Sequence, residues 1–160
     1  MRERRIEILL PIAILIIDQA TKAIVRAKLP LYASAAAIPG IMDFTHVPNS
    51  GIAYGLLQTV SFPFKTVVIA MVSAAAIIGV GIYAAGLAHH QRIARIGLSL
   101  IIGGAAGNLI DRLVSGSVVD FIDVYWRTHH FWVFNVADSA ITIGVILLFL
   151  QMVRKRSLDF

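Results

Sequence analysis

Apolar positions in this chain fall into four long blocks, at about residues 6–27, 66–88, 92–112 and 131–153. Each is long enough to cross a bilayer as a helix, for which roughly 20 residues suffice. The first block has an unbroken apolar core only over 8–17, followed by Asp18, Thr21 and Lys22. Its basic start (Arg2, Arg4, Arg5) resembles a secretory signal, and the alanines within 33–37 supply the small residues of a cleavage site. A polar stretch with Asp18, Lys22, Arg26 and Lys28 separates the core from those alanines, so the block is expected to persist as a first membrane helix. The second block carries no charge over residues 66–88, and the third none from 96 to 110. The fourth ends on Arg154, Lys155 and Arg156.

Two polar segments join these blocks on one side. Residues 28–65 hold Pro30, Pro39, Gly40, Pro48, Asn49, Gly51 and Pro63 between short apolar runs, a pattern of turns and short strands. Residues 113–130 form the second; within it, 118–126 also fits an interfacial amphipathic segment whose acids face water. The chain has no internal repeat, low-complexity tract or linker, so residues 1–160 are expected to form a single integral-membrane domain.

Composition agrees. The chain is 58% hydrophobic and 14% charged, with a mean hydropathy of +0.82, whereas soluble domains run near 45–50% apolar and about 25% charged. A soluble enzyme is excluded. The absence of cysteine removes thiol nucleophiles, disulfides and Cys-based metal sites. The net charge of +5 sits at the ends of the apolar blocks, which marks topology rather than a nucleic-acid surface. Four spans put both termini on one side, with eight Lys and Arg (2, 4, 5, 92, 95, 154, 155, 156) against six opposite (22, 26, 28, 65, 112, 127). That balance favours cytoplasmic termini.

The acids are the informative residues. Asp111 lies 16 residues beyond Arg95 and Asp138 lies 16 before Arg154, so at 1.5 Å per residue both sit roughly 24 Å up their helices. Asp18 comes out at roughly 20 Å by the same rule. A carboxylate in the outer part of the hydrocarbon costs several kcal/mol unless paired or wetted, which makes each a candidate functional group. Helical spacing joins Asn108, Asp111 and Arg112 on one stripe, and Asn135, Asp138, Ser139 and Thr142 on another. Gly103 and Gly107 form a G-x-x-x-G pair that permits close approach of a neighbouring helix.

Asp111 beside Arg112, and Asp18 four residues before Lys22, are each explained by simple neutralisation. Asp138 has no cation within a turn. Its possible partners are Asp111, Asp120 and Asp123. A water-activating pair needs one protonated and one ionised carboxyl, which proximity of like charges enforces. Arg112 would hold Asp111 ionised, while the apolar neighbours of Asp120 (Val118, Val119, Phe121, Ile122) would raise its proton affinity; Asp123 shares much of that setting.

Five stretches then resemble the motifs of the bacterial lipoprotein signal peptidases, or signal peptidase II. They are Asp18-Gln19-Ala20-Thr21-Lys22, Pro48-Asn49-Ser50-Gly51-Ile52-Ala53, Gly107-Asn108-Leu109-Ile110-Asp111-Arg112, Val118-Val119-Asp120-Phe121 and Phe134-Asn135-Val136-Ala137-Asp138-Ser139. One departure is Tyr54, where that pattern usually has Phe. The resemblance implies an all-α membrane protein of four transmembrane helices with a small periplasmic β-like cradle in residues 28–65. It implies an aspartic endopeptidase of the bacterial inner membrane that cuts diacylglyceryl-modified prolipoproteins before the lipidated cysteine, near the periplasmic face. Asp120 and Asp138 take the place of the catalytic pair. Asn108, Asp111, Arg112 and Asn135 take surrounding polar roles, with Asp18, Lys22 and Asn49 nearby. The implied partners are the prolipoprotein and membrane lipids, with no nucleic acid, metal or cofactor, and with inhibition by globomycin-type cyclic peptides.

Other readings fit less well. A proton or ion carrier would need acids toward both faces, yet the lower halves of the spans hold only Glu7. A protein whose acids merely pair helices leaves Asp138 unexplained. The histidine pairs, His89-His90 and His129-His130, point apart on a helix and read as solvated, while Tyr125, Trp126 and Trp132 fit an interfacial aromatic belt.

Overall fold

A computed structural model describes residues 2–51, 59–88 and 91–156. Among these residues four helices are long and apolar enough to cross a membrane. They are α1 (Arg2–Lys28), α2 (Lys65–Gly86), α3 (Arg92–Ser115) and α4 (Val136–Arg156). Four strands complete the described residues: β1 (Ser34–Ile38), β2 (Met42–Asn49), β3 (Val118–Trp126) and β4 (His129–His130). They form an antiparallel sheet in the order β1-β2-β3-β4. The sheet follows the C-terminal ends of α1 and α3 and precedes the N-terminal ends of α2 and α4, so connectivity sets it at one end of the bundle.

Helix α3 is the centre of the bundle, and glycine puts it there. A Cβ on Gly103 would lie 2.8 Å from the Pro11 carbonyl oxygen of α1, and one on Gly97 would lie 2.8 Å from that of Gly144 in α4. Gly104 meets the Ala137 carbonyl, and Gly107 meets the Asp18 carboxylate, just as closely. The expected G-x-x-x-G approach thus runs against α1, while Gly97 and Gly104 supply a second one against α4. Large side chains on α1, α2 and α4, such as Ile16, Met71, Ile82 and Phe149, stay exposed. That is how a membrane-spanning bundle meets lipid, since hydrocarbon exacts no cost for apolar surface.

Two expected boundaries move. The fourth helix starts at Val136 rather than at 131, because the preceding apolar residues pair as extended chain. Phe131 N donates to the Val124 carbonyl at 2.9 Å, and Phe134 exchanges hydrogen bonds with Ile122 at 3.1 and 2.8 Å. The third helix runs past Arg112 to Ser115 and closes on Gly116 at φ 73°, the left-handed C-terminal conformation that glycine adopts without strain. Residues 118–126 form a strand, not an amphipathic interfacial segment. Seven of the nine residues in Val-Val-Asp-Phe-Ile-Asp-Val-Tyr-Trp, all but the two acids, are β-branched or aromatic and fit a half-buried pleat. Val119 and Phe121 pack with Val25 of α1, seating the sheet on the bundle.

Candidate active site

The start of α4 organises the site. Helix N-termini leave backbone N–H groups without partners. Asn135, the residue before α4, accepts the Asp138 N–H on its Oδ1 at 2.9 Å, the geometry of an N-cap. The Asp18 carboxylate of α1 takes the Ala137 N–H at 2.9 Å. With its oxygen so occupied, Asn135 turns its amide nitrogen to Asp120 Oδ1 at 2.7 Å and to Asn108 Oδ1 at 3.2 Å. One carboxamide therefore bridges the backbone of Asp138 and the carboxyl of Asp120.

Each acid has a second amide. Asn49, at the end of β2, donates to Asp120 Oδ2 at 2.9 Å, and Asn108 donates to Asp138 Oδ1 at 2.8 Å. Asp120 is buried, and Asp138 is half-buried in the first turn of α4, where the helix dipole favours negative charge. Asp138 borders a cavity of about 820 Å³, lined almost entirely by apolar and aromatic side chains including Phe131, Trp132, Phe134 and Ile146. Burial first, and then the Asp138 charge, push the Asp120 carboxyl up from 3.8 to about 7, against the pull of Asn49, Asn135 and Lys22. Near neutral pH Asp120 is thus poised between its protonated and ionised forms.

Beneath them lies a buried ionic cluster. Lys22 is fully buried and its ammonium meets Asp18 at 2.8 Å, Asp111 at 2.9 Å and Asn108 Oδ1 at 2.9 Å, one acceptor for each proton. Asp111 also accepts from Arg26 at 2.8 Å, Gln19 at 3.3 Å and the Val119 N–H at 3.3 Å. Arg112 does not pair with Asp111 in hydrogen-bond contact as its position in sequence suggests. Its guanidinium reaches across to the Gly51 carbonyl at 2.9 Å and the Asn108 carbonyl at 3.2 Å; the stripe shared with Asn108 is wide, and adjacent residues on it point about 100° apart.

Residues 10–154 match the family described as signal peptidase (SPase) II, Peptidase_A8. The chain belongs to the signal peptidase II family. It is 46% identical over 140 residues to a lipoprotein signal peptidase of Geobacter metallireducens, covering 88% of this chain and 85% of that one. It is 38% identical over 148 residues to that of Symbiobacterium thermophilum, covering 92% and 94%. A solved bacterial membrane enzyme structure superposes with a TM-score of 0.86 at 32% identity, over 96% of this chain and 91% of that one.

Of the five signal peptidase II motifs, four lie wholly within the described residues and converge on this cluster, bringing Asp18, Lys22, Asn108, Asp111, Asp120, Asn135 and Asp138 together. Asn49 joins them from the fifth, while its Ile52 and Ala53, and Tyr54, lie outside the described residues, as do His89 and His90. Asp123 does not enter the site, since its carboxylate is held by His130 at 2.9 Å on the sheet. Ser139 turns its hydroxyl to the Asn135 carbonyl at 3.0 Å. Arg26 and Gln19, given no site role in the sequence, also reach Asp111. Arg26 continues the Asp18, Lys22 stripe by four residues, and Gln19 lies inside the Asp18 to Lys22 motif, so both signals were present in the chain.

Proposed function

We propose that this signal peptidase II removes the signal peptide from diacylglyceryl-modified prolipoproteins, cutting on the amino side of the lipidated cysteine with Asp120 and Asp138 as the water-activating pair. The observation that carries this reading is the Asn135 carboxamide, which joins the Asp120 carboxyl to the backbone of Asp138, itself on the edge of an apolar cavity. The chain acts as one domain in the bacterial inner membrane, with cytoplasmic termini and the pair opening toward the periplasm, as the Lys and Arg balance favours.

In the reaction the ionised carboxyl takes a proton from water as the water oxygen attacks the scissile carbonyl, and the protonated carboxyl gives its proton to the carbonyl oxygen. A neutral gem-diol results. The carboxyl that accepted the water proton then protonates the departing amine of the cysteine, the C–N bond breaks, and a diol proton returns to the other carboxyl as the new carboxyl terminus forms. The pair again holds one proton. The apolar cavity suits the lipid-modified segment, since acyl chains need a greasy wall and the peptide a polar rim. A globomycin-type cyclic peptide, carrying the same combination, would occupy the same place.

The test is reconstitution of the purified protein in detergent with a lipid-modified prolipoprotein and with its unmodified precursor. Mass spectrometry is expected to show a new amino terminus at the lipidated cysteine and cleavage that needs the diacylglyceryl group. Equal cleavage of the unmodified precursor, or a cut elsewhere, would overturn the reading.

A further inference from the structure

Lys22 never meets the cavity. Its side chain is fully buried, yet it stands at the root of two hydrogen-bond chains that end on the two acids. Its ammonium donates to Asn108 Oδ1 at 2.9 Å, and Asn108 Nδ2 donates to Asp138 at 2.8 Å. The same Asn108 oxygen accepts from Asn135 Nδ2 at 3.2 Å, and Asn135 Nδ2 donates to Asp120 at 2.7 Å. A flipped Asn108 amide would face its oxygen to the Asp138 carboxylate and its NH2 group to the ammonium, two repulsive contacts in place of two attractive ones. The cation thereby fixes which way the amide points.

We infer that Lys22 is a positioning residue that sets, through the Asn108 amide, the charge state in which the Asp120 and Asp138 pair works. This rests on the assignment of those two acids as the reacting pair. The ionisable groups facing Lys22 are Asp18 of α1 and Asp111 of α3. Arg26 holds the far side of Asp111, and Arg112, Asp120 and Asp138 complete the surrounding charges. The Lys22 charge opposes the rise in Asp120 proton affinity directly. Asp18 is the counter-charge that weakens this influence. Removing the cation and removing its counter-charge must therefore move the pair in opposite directions, which a purely structural role does not require.

The experiment is the pH profile of kcat/KM for Lys22→Gln and Asp18→Asn in the full-length protein, on a lipid-modified prolipoprotein. In Lys22→Gln both limbs are expected to move up by about one pH unit, the lower end of what an opposite charge contributes, with KM unchanged. In Asp18→Asn they are expected to move down, while the Asn oxygen still accepts the Ala137 N–H. Limbs that stay at the wild-type pH while kcat falls, or that move the same way in both variants, would overturn the inference. If Lys22→Gln fails to fold, Asp18→Asn alone decides: a downward shift supports it, and no shift or an upward one contradicts it. Full cleavage by Asp120→Asn or Asp138→Asn would instead remove the catalytic pair itself, a separate failure.

Discussion

Asn108 and Asn135 are hydrogen-bonded to each other at 3.2 Å, and each passes an amide proton to a different carboxylate, Asp138 and Asp120. A helix and a strand thus present their acids through one pair of amides. Asn135 combines two duties that substitution can separate, since it also caps α4. Asn135→Ser is expected to keep the cap, which serine provides nearly as well as asparagine, but cannot reach Asp120. Its unfolding free energy in detergent should fall by less than that of Asn135→Ala, with a difference of about 0.5–2 kcal/mol, the contribution of the cap, while cleavage falls by at least about tenfold. Asn135→Ala should lose both.

A carboxyl raised to about 7 has consequences for pH. Above that value Asp120 ionises and its proton is lost to the pair, so kcat is expected to decline on the alkaline side with an apparent midpoint near 7, read from initial rates. Stability should follow the same group. Its folded-state value lies above the ordinary 3.8, so its contribution is complete below about 4 and disappears as pH rises through about 7. The wild-type unfolding midpoint should therefore fall across that window more than that of Asp120→Asn.

Glycine packing gives a matched comparison. A Cβ at Gly104 would press on the Ala137 carbonyl and lie 2.9 Å from Ile141, whereas one at Gly81 in α2 would meet nothing within 4 Å. Gly104→Ala is expected to cost about 1–3 kcal/mol by overpacking and to displace the first turn of α4. Gly81→Ala should be neutral or stabilise by about 0.5–1 kcal/mol. Thermal unfolding in detergent distinguishes them.

Much of this was legible in the chain because a bilayer enforces simple rules. Long apolar runs had to become helices, and four such helices are present among the described residues. The Asp18 and Lys22 contact followed from their spacing. Tertiary pairing was less visible. Hydropathy cannot tell an apolar extended segment such as Phe131 to Phe134 from the beginning of a helix, so the start of α4 was displaced by five residues. Nor does adjacency in sequence report partnership on a helix, which is why Asp111 found Lys22 and Arg26 rather than Arg112. The choice between Asp120 and Asp123 depended on which face of β3 meets the bundle, a property of the folded sheet and not of either residue's neighbours.

The most direct test compares Asp120→Asn with Asp43→Asn in the purified protein, following release of the signal peptide from a lipid-modified prolipoprotein. Asp43 lies on the sheet, accepting the Tyr125 hydroxyl at 3.1 Å, and its replacement should leave cleavage close to wild type. Replacing Asp120 should abolish cleavage while the protein remains folded. Full cleavage by the folded Asp120→Asn protein would contradict the account.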